Sequence, residues 1–222
     1  MDRRIAKRRI KQPRLGRAVK RLIDVLVAAL GLAVLAIPLA LLAVLIRLTV
    51  GKPVLFRQMR PGYRGRPFEL VKFRTMRDGP GASVLDLDDA ERVTRLGEIL
   101  RRTSLDELPE LWNILKGDMS LVGPRPLLIE YLPLYTPEEN RRHEVRPGLT
   151  GWAQVNGRRL LDMSDRFVLD VWYVDNWSMS LDFRILAMTA RKVLKGEGVL
   201  PLVPDDLGNR TSRTPGEEQA RD

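Results

Sequence analysis

The sequence predicts a predominantly helical α+β protein: a Pro-kinked re-entrant membrane helix, then a globular domain with a small β-hairpin and interfacial amphipathic helices. Three observations support this fold class. Residues 25–46 are an uncharged apolar run of 22 residues, residues 54–73 have strand-like patterns around a Gly-rich turn, and later segments repeat apolar residues at helical spacing. Hydrophobic residues make up 44% of the 222 residues, which is enough for a folded core and excludes global disorder.

The positive charge of the chain is concentrated in a basic N-terminal arm, residues 1–21. The arm contains ten Lys and Arg residues and one acidic residue, whereas the rest of the chain carries a net charge of +1. Such an arm binds anionic lipid or nucleic acid, and its composition alone does not decide between them. The apolar run that follows favours lipid, so we expect membrane lipids of the cytoplasmic leaflet as partners and no nucleic acid.

The apolar run predicts a membrane helix over residues 22–49. A helix of this apolar length extends about 33 Å, close to the roughly 30 Å hydrocarbon core of a bilayer. Six basic and no acidic residues lie between positions 47 and 66, so both flanks of the helix are basic. Because basic flanks stay in the cytoplasm, a re-entrant helix that bends at Pro38 is favoured over an ordinary kinked span. A secretory signal and a buried helix of a soluble protein are weaker alternatives.

The globular domain is predicted over residues 50–204, with a tail at 205–222 that is rich in Gly, Pro and charge and is expected to be disordered. Strands are predicted at 54–59 and 67–73, with a Gly-rich basic turn between them. Helices are predicted at 89–102, 109–116, 165–177 and 181–195, and Gly/Pro-rich loops at 117–126 and 146–158. The chain has no Cys and one His, which excludes disulfides, thiolate metal sites and His-rich metal sites.

The segment around Asp106 and Glu107 has two competing interpretations. Ser104 and Glu107 have the spacing of a capping box, and from composition and spacing alone a helix cap is favoured. Pro109 fits the first position of the following helix, which leaves both acids just before it. Adjacent carboxylates in that place, close in sequence to Arg101, are also suited to hold Mg²⁺ and a diphosphate.

Two other segments carry weaker chemical signals. Asp86 and Asp88 form an Asp-x-Asp pattern like that of metal-dependent glycosyltransferases, although caps of the following helix are the favoured interpretation. His143 lies in a charged run, residues 140–144, which we interpret as a solvated helix face without a catalytic role.

Four longer motifs, in this order along the chain, resemble those of the bacterial sugar transferases. They are KFRTM at 72–76, TSLDELPELWN at 103–113, KGDMSLVGPRP at 116–126 and RPGLTGWAQVNGR at 146–158. With the Pro-kinked membrane helix, the resemblance covers about residues 17–200 and is to the small monotopic phosphoglycosyl transferases that initiate bacterial glycoconjugate assembly. The basic arm lies outside the shared pattern.

The resemblance implies an enzyme, a phosphoglycosyl transferase on the cytoplasmic face of the bacterial inner membrane. Its reaction would move a sugar-1-phosphate from a UDP-sugar to polyprenyl (undecaprenyl) phosphate and release UMP, in exopolysaccharide or lipopolysaccharide synthesis. Asp106 is then expected to be the nucleophile that forms a covalent phospho-sugar intermediate. Asp106 and Glu107 would together hold Mg²⁺, with Mn²⁺ as the alternative metal.

The resemblance also implies substrate-binding residues within the 50–204 catalytic domain. They are basic or acidic side chains expected near the phosphates or the nucleotide: Lys72, Arg101, Arg125, Arg146 and Asp170. Two other functions stay open, a membrane-anchored adaptor that binds lipid or nucleic acid without catalysis, and an inverting glycosyltransferase that uses Asp86 and Asp88 and releases UDP. The sequence is compatible with several UDP-sugars and with a homo-oligomer.

Overall fold

The computed structural model describes residues 14–77, 92–157 and 163–195, and most of them are helical. The helices are α1 (Arg14–Thr49), α2 (Arg95–Thr103), α3 (Glu110–Lys116), α4 (Trp152–Asn156), α5 (Met163–Asn176) and α6 (Met179–Leu194). The strands are β1 (Leu55–Pro61), β2 (Pro67–Phe73), β3 (Ser120–Val122) and β4 (Gly148–Thr150). This confirms a mostly helical fold with a small hairpin and one long apolar N-terminal helix. The first part of the basic arm, the Asp86 and Asp88 pair and the tail at 205–222 lie outside the described residues.

Helix α1 is one element of 36 residues that contains Pro38. It begins at Arg14, so the last part of the predicted basic arm is helical and continuous with the apolar run. By length and composition α1 is able to cross a membrane, and only 6% of its most apolar segment is buried in the protein. One side of the helix exposes large apolar residues at helical spacing, which include Leu26, Leu30, Val34, Ile37, Leu41, Val44 and Leu48.

The N-terminal part of α1 is fixed to the globular domain by polar contacts. Lys20 Nζ lies 2.6 Å from Asp182 Oδ2 of α6 in a largely buried ion pair. Asp24, which is 3% exposed, accepts a hydrogen bond of 3.0 Å from the backbone N–H of Leu121 in β3. Arg21 donates to two carbonyl oxygens at the C-terminal end of α3. These contacts make α1 part of the folded domain over its second and third turns.

The C-terminal part of α1 packs against the same domain through apolar side chains. Ile46 and Val50 are buried in a cluster with Phe73 of β2 and Leu100 of α2. Farther back along the helix, Ala28 belongs to the main core with residues of β2, α3 and β3. The domain therefore contacts α1 near both of its ends.

The predicted hairpin is present and lies against α3. Strands β1 and β2 pair antiparallel from Leu55 with Phe73 to Pro61 with Pro67, within two residues of the predicted bounds. The buried side chain of Asn113 in α3 donates to the carbonyl oxygen of Glu69 at 2.6 Å and accepts from the N–H of Val71 at 3.1 Å. This amide joins α3 to the free edge of β2, which positions the residues on either side of it.

The segments predicted as Gly/Pro-rich loops contain a second sheet and a short helix, so this prediction is wrong in part. Strands β3 and β4 pair in parallel, and α4 follows β4 after Gly151. A Cβ atom at Gly148 would lie 2.1 Å from the backbone nitrogen of Gly123, so glycine is required for this close approach. Strands of three residues are too short to show a strand pattern in the sequence.

Candidate active site

The candidate site is built around a sharp change of direction between α2 and α3. Ser104 adopts the left-handed conformation with φ of 57°, and its backbone N–H donates to carbonyl oxygens of the last turn of α2. A single 3-10 turn, Leu105–Glu107, then leads through Pro109 into α3. The Ser104 side chain forms no capping hydrogen bond with this turn, so the capping-box interpretation is wrong. The side chain of Glu107 contacts Lys72 and Arg125 instead of the backbone of Ser104.

The carboxylate of Glu107 is held between two cations from other elements. Lys72 Nζ of β2 lies 2.6 Å from Glu107 Oε1, and Arg125 forms hydrogen bonds to both Glu107 oxygens. Glu107 is 8% exposed. Burial alone would raise the pKa of this carboxyl, but the charges and hydrogen bonds of Arg125 and Lys72 hold it well below its usual range. Glu107 is therefore a fixed anion at pH 7.

Glu110 is a third carboxyl group of the site, and it was not among the site residues predicted from the sequence. It is 2% exposed at the start of α3, and its Oε1 atom lies 3.1 Å from Lys72 Nζ without a well-formed hydrogen bond. Burial raises the pKa of Glu110, and the charge of Lys72 opposes this. Its position three residues after Glu107, on the same side of a helical turn, was a usable signal.

Asp106 has a different environment from its neighbour Glu107. Its side chain is half-buried, and within the described residues its carboxylate forms no hydrogen bond or ion pair. Burial, followed by the negative charge of Glu107, raises the pKa of Asp106 to about 6, against the charges of Lys72, Arg125 and Arg101. Asp106 is thus ionised near neutral pH, more basic than an ordinary aspartate and available to a ligand.

The carboxylates of this site fit a hard divalent cation that substrate helps to bind. In the described part of the chain, no group of three or more Asp, Glu, His or Cys residues is placed to hold a metal ion. Mg²⁺, however, is commonly bound by one or two carboxylates together with substrate phosphates. Within the described residues Asp106 forms no ion pair, burial and the charge of Glu107 raise its pKa, and Glu107 is adjacent. These two residues therefore fit the predicted metal.

Three of the predicted substrate-binding residues lie together. Lys72 and Arg125 bind Glu107, and the positive charge of Arg101 acts on Asp106. Arg101 is oriented from α2 by a hydrogen bond of 2.9 Å from its Nε to Thr75 Oγ1. Cations from β2, α2 and the loop after β3 thus converge on the two acids.

Asp170 lies behind this cluster and reaches it through a second residue. Its carboxylate is 2.6 Å from Arg142 Nη2, and both side chains are almost fully buried. The same Arg142 nitrogen donates to the backbone carbonyl of Arg125 at 2.7 Å. Burial raises the pKa of Asp170, and the charge of Arg142 opposes this shift. Asp170 therefore supports the backbone of Arg125.

The charged run at 140–144 is not a solvated helix face, so that interpretation is wrong. It forms a 3-10 helix, Glu139–Glu144, in which Arg142 and His143 are buried. His143 contacts Asn140 through its Nδ1 atom, and its ring lies 5.6 Å from that of Tyr135. Burial, followed by the charge of Arg142, lowers the pKa of His143 to about 4. The buried Asp170 explains why Arg142 points inward.

Arg146 is not brought to the carboxylate cluster. Its Nε donates to the carbonyl oxygen of Gly117 at 2.9 Å, at the end of α3 opposite to Glu110. The guanidinium also lies 6.0 Å from the ring of Tyr63. Tyr63 borders an open cleft of about 540 Å³ that none of the three carboxylates lines.

Comparisons with known proteins agree with the motifs in the sequence. Residues 15–196 match the profile of the family described as bacterial sugar transferase. The chain is 52% identical to EpsL of Bacillus subtilis (strain 168), an uncharacterized sugar transferase, over 82% of this chain and 90% of the relative.

Two further relatives have more specific names. One is the UDP-glucose:undecaprenyl-phosphate glucose-1-phosphate transferase of Caulobacter vibrioides, which is 45% identical over 79% of this chain and 69% of its own length. The protein of the same name from Escherichia coli (strain K12) is 39% identical over 79% of this chain and 40% of its own length. The chain therefore belongs to the bacterial sugar transferase family and is a transferase.

Proposed function

We propose that the chain transfers a sugar-1-phosphate from a UDP-sugar to polyprenyl (undecaprenyl) phosphate, giving polyprenyl-diphosphate-sugar and UMP. The observation that carries the proposal is the contrast between two adjacent carboxylates. Asp106 has a raised pKa and forms no hydrogen bond or ion pair within the described residues, whereas Glu107 is held by Lys72 and Arg125. The names of the Caulobacter vibrioides and Escherichia coli relatives support the donor and acceptor classes.

The first step uses Asp106 as a nucleophile. A carboxylate oxygen of Asp106 attacks the phosphorus atom that bears the sugar, and the bond from this phosphorus to the bridging oxygen of UMP breaks. UMP leaves with the electron pair of that bond, and the sugar-phosphate is held on Asp106 as an acyl phosphate. A pKa of about 6 suits this role because the group is ionised at pH 7 yet more basic than an exposed aspartate.

The second step transfers the sugar-phosphate to the acceptor. A phosphate oxygen of polyprenyl phosphate attacks the same phosphorus atom, the bond to Asp106 breaks, and the carboxylate is restored. The acceptor is already anionic, so the step requires no strong general base. Mg²⁺, held by Asp106 and Glu107 together with substrate oxygens, would supply neutralising charge at the diphosphate.

The surrounding cations control charge and position during both steps. Lys72 and Arg125 hold Glu107 in place and offset its charge, while Arg101 adds positive potential at Asp106. Asp170 and Arg142 are positioning residues, because they fix the backbone carbonyl of Arg125.

We further propose that α1 is re-entrant and holds the domain on the cytoplasmic face of the inner membrane. Lys20 and Ile46 contact one and the same domain, although 26 helical residues correspond to about 39 Å, more than the hydrocarbon core. A helix that crossed the bilayer would carry one of these contacts to the opposite side. The exposed apolar side of α1 and the basic flanks support insertion from the cytoplasmic side, where UDP-sugars are present.

The decisive experiment is a product assay with the full chain in detergent or nanodiscs. Purified protein is incubated with undecaprenyl phosphate, Mg²⁺ and each member of a panel of labelled UDP-sugars. We expect UMP and a lipid-linked diphosphate sugar with at least one donor. Release of UDP instead would support the inverting glycosyltransferase, and absence of turnover with the whole panel would contradict the proposal.

A further inference from the structure

Strand β1 carries a basic residue, Arg60, on the face of the hairpin that includes Lys72. In the register of the hairpin, Phe56 pairs with Lys72, Gln58 with Leu70 and Arg60 with Phe68. Side chains alternate between faces along a strand, and directly paired residues share a face. Arg60 therefore projects on the same side as Lys72, toward the candidate site.

The guanidinium of Arg60 has an incomplete set of partners. Its Nη2 donates to Gln58 Oε1, whereas its Nε is buried and has no hydrogen-bond partner in the part of the chain that the structure describes. Within the described residues, Arg60 also forms no ion pair, in contrast to Lys72 and Arg125. A buried N–H group without a partner is costly, so such groups are normally satisfied by protein, water or ligand.

The charges of two residues of the candidate site, Arg125 and Glu110, act on Arg60. Burial, followed by the positive charge of Arg125, lowers the pKa of Arg60 to about 10, against the charges of Glu110, Glu130 and Tyr131. Arg125 is bound to Glu107, and among the described residues no carboxylate forms an ion pair with both arginines. A pair of arginines with free donor capacity suits an anion with several oxygen atoms, because the guanidinium fork matches phosphate geometry.

We propose that Arg60 is a substrate-binding residue of the transferase site, and that its Nε–H, next to Arg125, receives a phosphate group of a substrate. The phosphate belongs either to the diphosphate of the nucleotide-sugar or to the polyprenyl phosphate, since both present the same chemistry. The inference rests on the proposed function for the identity of these substrates. It assigns a role to a residue outside the four motifs between positions 72 and 158.

Arg57 provides a matched control on the same strand. Arg57 lies three positions before Arg60, so its side chain projects from the opposite face of the hairpin. The side chain is 58% exposed and forms an ion pair of 2.6 Å with Glu69 on the surface. The variants Arg60→Gln and Arg57→Gln therefore remove the same charge from opposite faces of one hairpin. General effects of lower positive charge on membrane binding should be equal in the two proteins.

The kinetic test measures KM for the UDP-sugar and for undecaprenyl phosphate separately. Arg60→Gln should raise the KM of one substrate about tenfold or more, with a smaller change in kcat, whereas Arg57→Gln should stay within about twofold of the unmodified protein. A rise for the UDP-sugar assigns the phosphate to the donor, and a rise for undecaprenyl phosphate assigns it to the acceptor. Equal KM values in the two variants would overturn the inference.

A binding measurement separates this inference from the proposed reaction. The melting temperature of each full-length protein is recorded with and without inorganic pyrophosphate. Without ligand, Arg60→Gln should melt at or above the temperature of the unmodified protein, because a buried cation next to Arg125 is removed. Pyrophosphate should stabilise the unmodified protein and Arg57→Gln, and stabilise Arg60→Gln clearly less. A lower melting temperature of Arg60→Gln without ligand, together with unchanged stabilisation by pyrophosphate, would assign Arg60 a structural role and overturn the inference. This outcome does not depend on whether UMP is the product of the reaction.

Discussion

Asp106 and Glu107 are adjacent in the chain, yet their surroundings move their pKa values in opposite directions. Burial and the charge of Glu107 raise the pKa of Asp106 to about 6, while Arg125 and Lys72 hold that of Glu107 low despite its burial. Two carboxyl groups with such different environments are suited to different tasks at one site. Glu107 organises the cations, and Asp106 is the carboxylate that we propose as the nucleophile.

Asp106→Asn should abolish turnover without unfolding the protein. The amide has nearly the shape of the carboxyl group but is not a nucleophile, and a neutral side chain removes the repulsion with Glu107. We expect UMP release to fall by at least about a thousandfold, with no phospho-sugar adduct by mass spectrometry and an equal or higher melting temperature. Asp86→Asn is the control and should retain activity, and an Asp106→Asn protein with near-normal rates would contradict the nucleophile assignment.

Glu107→Gln should reduce both activity and stability. The substitution removes the ion-pair partner of Arg125 and leaves Lys72 paired with Glu110 alone, and loss of one partner of a buried pair costs about 3–5 kcal/mol. Chemical denaturation measures this loss, and the UMP assay should show a steep fall in rate. Glu69→Gln, which breaks the exposed pair with Arg57, should cost less than about 1 kcal/mol. Similar losses in both variants would mean that the cluster around Glu107 is not an organising element.

Activity should depend on a divalent cation. Asp106 and Glu107 offer hard oxygen ligands, and a diphosphate substrate would complete the coordination of Mg²⁺. EDTA should therefore stop UMP release, and added Mg²⁺ or Mn²⁺ should restore it. Full activity in EDTA would show that the protein cations alone offset the charge of the diphosphate.

The single histidine, His143, should stay neutral at pH values well below the usual pKa of a histidine side chain. Burial and the charge of Arg142 lower the pKa of His143 to about 4, while Asn140 and the Tyr135 ring cover the imidazole. The unfolded chain binds a proton at this histidine near pH 6.5, whereas the folded chain does not. The free energy of unfolding is therefore unaffected by His143 above pH 6.5 and decreases as the pH falls toward 4. NMR of the imidazole signals follows this directly, since no other His is present. Titration near pH 6.5 in the folded protein would contradict the burial of His143.

The topology of α1 can be tested with introduced cysteines, because the native chain contains none. Single cysteines at positions 5 and 215 should both be labelled from the cytoplasmic side in intact cells and spheroplasts. Pro38→Ala should favour a straight helix and expose position 5 outside in part of the molecules. Labelling of position 5 from the periplasm in the otherwise unmodified chain would exclude the re-entrant arrangement and leave the catalytic proposal intact.

Long uniform patterns made the long apolar helix and the hairpin predictable. The apolar run of α1 and the turn between β1 and β2 each carry a signal over many neighbouring residues. Strands β3 and β4 carry no such signal, because each has three residues and their pairing depends on the close approach of Gly123 and Gly148.

The candidate site was predictable only through the resemblance to a family. Lys72 and Glu107 are 35 residues apart, and Arg125 is another 18 residues away, so no local pattern brings them together. Local patterns alone favoured a helix cap at Glu107. Arg142 was misjudged because a charged residue in a polar run is normally solvated, and only its buried partner Asp170 reveals the exception. Glu110 was missed although it follows Glu107 by three residues in the chain.

The amide of Asn113 has a consequence for solubility. It occupies the N–H of Val71 and the carbonyl of Glu69, which are the groups that an additional strand would use. The free edge of a two-stranded sheet is a template for pairing with another chain, and here a buried side chain of α3 occupies it. An aspartate at this position would turn a donor into an acceptor facing the Glu69 carbonyl, which would weaken the contact that keeps α3 on this edge.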